Sequence, residues 1–401
     1  MGRHDLLTLS LYQLLASNRS GIFIVYFPLF LVETRGASVP VALAFISAAY
    51  VAASLLGPIA GRMSDRVGRR RPFLLVAELG ALPLFFAIPY VPGYAAAGLT
   101  FLAAQVVLSI GTPALNAYVG DLTRHGGRGA GYGLLNGASS AGGVVGFIVA
   151  AVLVQSFGYA ALFWFVAAVM VGTFSVVRFL IPDRTVEPSP KRQPWREYRP
   201  LAIFSVAVSI RSLGAGAVGT FFAVFAFELG ATPVEISLIA IAGLLTGALS
   251  AVPFGRFVDR RGEIRGIWYG TLVTLAGIGV YLLATTWVVL IPAQMLRYLG
   301  FSLLSPGMLA YVANRAPPGH RAEHLGVFSL VNSTFWSLGP LAGGIALGLG
   351  GRIGLFVFAL GATGISLAVI ELLYAVRGGR LPGGFVAAPP TSPVVVPAPE
   401  P

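Results

Sequence analysis

The chain has no cysteine, which removes disulfides, thiolate nucleophiles and thiolate metal sites from its chemistry. Charge is scarce too. Only 10% of the 401 residues are Asp, Glu, Lys or Arg, whereas a soluble domain carries roughly 25%. A surface so poor in charge must face something other than water. Histidine is limited to His4, His125, His320 and His324, all outside the apolar runs, so a buried histidine relay or histidine metal centre is not expected. No nucleophile–base set, P-loop or appended polar domain is visible, and neither an enzyme nor a bound cofactor is expected. What the chain has in abundance is apolar surface, at 56% of residues.

The apolar residues come in runs long enough to cross a bilayer as helices, which takes about 20 residues. Twelve such runs are expected, near 6–31, 40–60, 73–91, 95–118, 132–154, 159–181, 200–227, 234–254, 267–286, 288–312, 325–349 and 353–376. Their length, and the lack of alternating polarity, argue for helices rather than barrel strands. The first run continues without a small-residue cleavage site, so no removable signal peptide is expected. The polar stretch 182–199, with Asp183, Arg184, Glu187, Lys191, Arg192, Arg196, Glu197, Arg199 and four prolines, divides six runs from six. The expected organisation is a half over 1–181, a linker over 182–199, a second half over 200–376 and a disordered tail over 377–401.

The net charge of +12 would point to nucleic acid in a soluble protein. Here it reads as a topology signal instead. Of the 27 Lys and Arg, only Arg35 and Arg352 fall on one side of the expected membrane, and Arg19, Arg211 and Arg297 fall within spans. Every other one lies on the side of the termini, which places both termini in the cytoplasm by the positive-inside rule.

One pattern occurs twice, each time between the second and third spans of a half. The first copy runs from Gly61 through Asp65 and Arg66 to Gly68, followed by Arg69, Arg70 and Arg71; the second runs from Gly255 through Asp259 and Arg260 to Gly262. Other features recur in register. Gly36-Ala37-Ser38 matches Gly230-Ala231-Thr232, and Pro113 with Ala117-Tyr118-Val119 matches Pro306 with Ala310-Tyr311-Val312. The arrangement resembles the major facilitator superfamily of secondary transporters, over about residues 5–377.

The resemblance implies an all-α membrane protein with twelve transmembrane helices in two parallel six-helix repeats, binding its substrate between them near the midplane. It implies alternating access for a small-molecule substrate, residence in the plasma membrane, and a latch on the cytoplasmic side. Gly61, Asp65, Arg66, Gly68, Gly255, Asp259 and Arg260 are the expected latch residues. Glu263 stands where the second copy should have a basic residue, which weakens its match. Gly339-Pro340-Leu341-Ala342-Gly343-Gly344 resembles an exporter motif, but lies in span 11 rather than span 5. The matching stretch of span 5, Ala141 to Gly146, lacks the proline, so close helix packing by small residues accounts for the motif better than export does.

Away from the span ends, where Arg178 and Glu235 lie, five ionisable residues fall inside the expected spans: Arg19, Glu78, Arg211, Arg297 and Glu371. An intramembrane charge costs several kcal/mol unless it meets a partner or water, so each is a functional candidate. In the facilitator fold, spans 1, 7 and 10 line the central cavity, which would place Arg19, Arg211 and Arg297 there without any carboxylate. Glu78 and Glu371 lie close enough to the cytoplasmic end to snorkel. Paired arginines at the depths of Arg19 and Arg211 resemble those that bracket phosphate in the organophosphate:phosphate antiporters, and a guanidinium fork suits an oxyanion.

An anionic or amphipathic anionic organic solute is therefore the expected substrate, with Asn18, Tyr26, Asn116, Tyr298 and Asn332 as further lining candidates. The competing reading is proton-coupled efflux of hydrophobic compounds, with Glu78 or Glu371 carrying the proton. The bilayer and the solute are the expected partners; nucleic acid and metal are not, and a monomer is expected.

Overall fold

Each apolar run of the sequence is helical in the computed structural model, which describes residues 3–122, 128–183, 195–315 and 321–376. The helices are α1 (Arg3–Arg35), α2 (Val39–Val67), α3 (Arg71–Ala87), α4 (Gly93–Ser109), α5 (Gly111–Leu122), α6 (Arg128–Phe157), α7 (Tyr159–Ser175), α8 (Trp195–Glu228), α9 (Pro233–Arg261), α10 (Glu263–Leu283), α11 (Leu290–Arg315) and α12 (Arg321–Val376). Ten are long and apolar enough to cross a membrane. One of these, α12, is two spans joined at Gly350 and Gly351, where the backbone leaves helical geometry. α4 and α5 count together as one of the ten, and with α3, whose 17 residues fall just short of that length, the described residues hold twelve apolar helical segments.

Two boundaries differ from the expectation. The fourth run is broken at Ile110 into α4 and α5, because Pro113 has no N–H to return to the carbonyl four residues back. The second half begins at Trp195 rather than 200, so the end of the expected linker is helical. The rest of that linker, 184–194, and the tail 377–401 lie outside the described residues.

The turns explain the recurring glycines. Gly36 and Gly230 have φ of 69° and 85°, a left-handed conformation that a Cβ disfavours. The N–H groups of the following residues, Ala37 and Ala231, return to carbonyls of the preceding helix. Thr232 then caps α9 in a reciprocal box with Glu235. These turns mark one end of the molecule, the distal end. The repeated glycine–aspartate loops mark the opposite, loop end, where Gly68 closes α2 at φ 66°.

Each half is tied together by small residues. On α6, a Cβ at Gly142 or Gly146 would fall on the backbone of Leu14 or Asn18 in α1; on α12, one at Gly339 or Gly343 would fall on Leu213 or Ala217 in α8. The spacing of four puts each glycine pair on one helix face, where two backbones can meet. Gly339 and Gly343 thus serve helix packing.

The core is shared at one end and divided at the other. Around the distal end a continuous cluster joins Phe23, Phe27, Phe85 and Phe101 of the first half to Phe221, Phe225 and Phe356 of the second. Phe23 stacks on Phe85 at 4.4 Å and Phe27 on Phe101 at 3.8 Å. Nearer the loop end there are two separate clusters. Leu9, Tyr12, Leu74, Tyr118 and Val177 belong to the first half, and Phe204, Ile267, Met308, Tyr311 and Phe328 to the second.

Candidate functional site

The first half holds a buried ion pair at mid-depth. Arg19 of α1 donates from Nη1 to Glu78 Oε2 at 2.6 Å and from Nη2 to Glu78 Oε1 at 2.7 Å. Tyr12 donates to Glu78 Oε1 at 2.8 Å and Thr173 of α7 to Oε2 at 2.7 Å. Glu78 is fully buried and Arg19 is 4% exposed. The carboxylate therefore receives four hydrogen bonds from two neighbouring helices, which is what a buried charge requires.

This corrects two expectations. Glu78 does not snorkel to the loop end, because the arginine one helix away offers a better partner than the interface. Arg19 does not present a free fork to the space between the halves; it is turned into its own half, and its charge is met there. Glu371 of α12 is exposed, which leaves Glu78 as the one enclosed carboxylate of the two.

The second half carries an arginine at the corresponding depth but, among the described residues, no acid beside it. Arg211 of α8 is 3% exposed. Its Nη2 reaches only Met308 Sδ of α11, at 3.8 Å, and its Nε has no partner. A thioether is a weak acceptor and brings no charge. Arg297, half-buried on α11, donates Nε to Gln294 Oε1 at 3.0 Å and lies over the Tyr298 ring at 5.1 Å. Its Nη1 is the atom a Cβ at Gly219 of α8 would approach. Both guanidiniums thus lie along the α8–α11 interface. The Gln294 carbonyl is shared with the Tyr281 hydroxyl, at 2.5 Å.

The remaining candidates divide. Asn18 donates to the Leu14 carbonyl of its own helix at 2.8 Å. Asn332 accepts from Ser212, next to Arg211, at 2.7 Å. Tyr298 packs against Gly243 and Gly247 of α9. The side chain of Asn116 lies outside the described ones.

Tyr26 belongs to a seam between the halves: its hydroxyl reaches the Pro233 carbonyl at 2.9 Å and Ser237 Oγ at 2.5 Å. Ser237 donates to the Phe147 carbonyl at 3.0 Å and Ser47 to the Ser337 carbonyl at 2.5 Å, while Tyr50 meets Trp336 edge-on at 5.5 Å. The seam serines carry no sequence signal, since a hydroxyl in a span bonds its own helix as readily as its neighbour. Thr173 carries no signal for a similar reason, and Tyr12, which reads from its span as a cavity-lining polar group, turns to Glu78 instead. Nothing local marks them as partners of Glu78.

In the first signature loop, Arg70 donates to Ser64 Oγ at 3.0 Å and Arg71 to the Val177 carbonyl at 3.0 Å, while Arg69 pairs with Asp183. The basic run ties the loop to the far end of α7. Gly61 packs against Pro113 and Arg66 is exposed. The Asp65 side chain lies outside the described ones. In the second loop Asp259 and Arg260 are exposed, while Glu263 is engaged by Asn314 at 2.7 Å and Arg315 at 3.6 Å. Gly255 has open space beside it.

Comparison with known proteins identifies the fold and the family. Two multidrug resistance proteins of Bacillus subtilis are similar. Protein 2 is 26% identical over 331 residues, covering 76% of this chain and 80% of its own. Protein 1 is 25% identical over 312 residues, covering 74% and 76%. Among solved structures, a peptide transporter, POT, in complex with sulfate shares the fold with a TM-score of 0.79 at 16% identity, over 96% of this chain and 97% of its own. The nucleoside transporter NupG does so with a TM-score of 0.77 at 15% identity, over 92% and 99%. The family model described as Major Facilitator Superfamily matches residues 9–210 and again 204–397. Two tandem matches, one per half, follow the repeat already visible in the loops and glycine pairs, and the chain belongs to the Major Facilitator Superfamily of membrane transporters.

Proposed function

We propose that the chain moves a small organic solute with an anionic group across the plasma membrane by alternating access. The observation that carries this reading is Arg211: enclosed, cationic and met only by a thioether. A guanidinium in so dry a setting is costly until an oxyanion engages its fork. Ser212 and Asn332 beside Arg211, and Arg297 with Tyr298 along the same helix interface, supply the rest of the site; Arg19 is withdrawn from it. The fused distal core and divided loop-end core correspond to a state open towards the signature loops. Both termini then face the cytoplasm, and the protein works as a monomer.

Asp65 and Asp259, with Arg66, Arg260 and the glycines around them, close the loop end in the opposite state. Asp65→Asn should slow transport while leaving equilibrium ligand affinity intact. The test of the substrate class is a panel of organic anions and cations scored by thermal shift on purified protein, since a bound solute stabilises by mass action. Anions should shift the wild type and lose their effect in Arg211→Lys, which keeps the charge but not the fork. Equal shifts in both proteins would overturn the reading.

A second reading, proton-linked extrusion of hydrophobic compounds, is favoured by the names of the Bacillus relatives and by Glu78 as an enclosed carboxylate. It requires dye efflux from proteoliposomes to collapse with the imposed pH gradient, and to be lost in Glu78→Gln protein that remains folded.

A further inference from the structure

Near the loop end of the second half, a groove of about 640 Å³ is lined by Phe254, Phe257, Arg261, Arg265, Tyr269 and Leu303. It owes its shape to Gly262, whose φ of 93° ends α9 and starts α10 without an intervening loop. Arg261 is the last residue of α9 and Arg265 the third of α10, so the two helices each contribute one guanidinium. The acid between them is occupied: Glu263 is held by Asn314 and Arg315 from the end of α11. Asp259, two residues before Arg261, sits about 200° round the helix from it. The groove therefore combines two cations that no acid among the described residues pairs with, and an apolar floor whose Phe257 and Tyr269 rings meet edge-on at 6.1 Å.

Its position selects the ligand. One face of α10 (Gly266, Ile267, Gly270, Thr271 and Thr274) is buried. On the other, Arg265, Tyr269 and Leu272 follow one another at helical spacing, and all three are exposed. In a membrane-spanning helix that stripe passes from the headgroup region, where arginine and tyrosine are favoured, into the acyl region. A free anion would cover the guanidiniums but leave Phe254, Phe257 and the stripe bare. A phospholipid covers both.

We propose that this groove binds an anionic phospholipid of the leaflet facing the signature loops. Its phosphate lies between Arg261 and Arg265, where a guanidinium pair gives charge-assisted hydrogen bonds. Its first acyl carbons rest on Phe254, Phe257 and Leu303.

The test uses the full chain in detergent micelles doped with equal phosphatidylglycerol and phosphatidylcholine, with bound lipid read by native mass spectrometry. Phosphatidylglycerol should be retained at least fivefold over phosphatidylcholine. The ratio should fall towards one in the Arg261→Gln/Arg265→Gln double variant and persist in Arg256→Gln, an exposed arginine of α9 outside the groove. A photoactivatable phosphatidylglycerol on the wild type, which requires no variant to fold, should cross-link to peptides covering 254–269. Cross-links confined to other regions, or a ratio unchanged in the double variant, would overturn the proposal. Competition by glycerol phosphate as strong as by phosphatidylglycerol would also overturn it, by showing a site for soluble anions.

Discussion

The two halves solve one electrostatic problem in opposite ways. Each places an arginine at mid-depth on its first helix. In the first half Glu78, Tyr12 and Thr173 converge to neutralise and fix Arg19; in the second, Arg211 meets a methionine sulfur. The repeat preserves the glycine pairs and the arginine's helix, so this difference is carried by the side chains around each arginine. A neutralised arginine braces α1, α3 and α7 into a block. An unneutralised one stores a demand for an anion, and only the second suits a binding role. Under the proposed function, the asymmetry gives support to one half and recognition to the other.

The sharpest way to break this comparison is to remove the acid. Glu78→Gln leaves Arg19 buried without a counter-charge and should cost about 3–5 kcal/mol, read as a large drop in thermal stability. Arg19→Met/Glu78→Leu should recover most of it. A stable single variant would end the bracing role.

Next in size, Gly146→Ala puts a methyl onto the backbone of Asn18 and should cost about 1–3 kcal/mol. Gly343→Ala meets first the Ala217 side chain and should cost less. Equal losses in thermal unfolding would mean that the halves are packed alike.

Arg211→Met removes a charge without orphaning any carboxylate. Stability should be unchanged or higher while uptake of the responsive anion falls about tenfold, equivalent to ~1.4 kcal/mol. A destabilised protein would show that Arg211 serves the fold. Smallest, Tyr26→Phe deletes the cross-half hydrogen bonds at the distal seam, worth about 1 kcal/mol. It should move the balance of states roughly fivefold towards distal opening, read by distance measurements between spin labels on α2 and α9.

The repeat was legible because its marks are local. Gly61 to Gly68 and Gly255 to Gly262 are contiguous motifs, and the turn at Gly350 and Gly351 falls where one apolar run gives way to the next. The pairing of Arg19 with Glu78 was not legible. Span assignment gives the depth of a residue but not the rotation of its helix, and a rotation of a third of a turn would have sent Arg19 towards the other half. Family geometry supplied that rotation, correctly for neither Arg19 nor Glu78. Arg211 was found because an isolated charge in an apolar run is visible in any rotation. The break at Ile110 could have been found, since Pro113 stands two residues into α5.

The distal seam is built from hydroxyls meeting carbonyls: Tyr26 on Pro233, Ser47 on Ser337 and Ser237 on Phe147. None of these groups bears a formal charge. A seam of ion pairs would feel the transmembrane voltage, which is worth about 2.3 kcal/mol per elementary charge per 100 mV. Parting these three contacts moves no charge through that field, so this step of the cycle is electrically silent. On the proposed reading, any voltage dependence of turnover then reports on the intramembrane charges and on the cargo rather than on this seam.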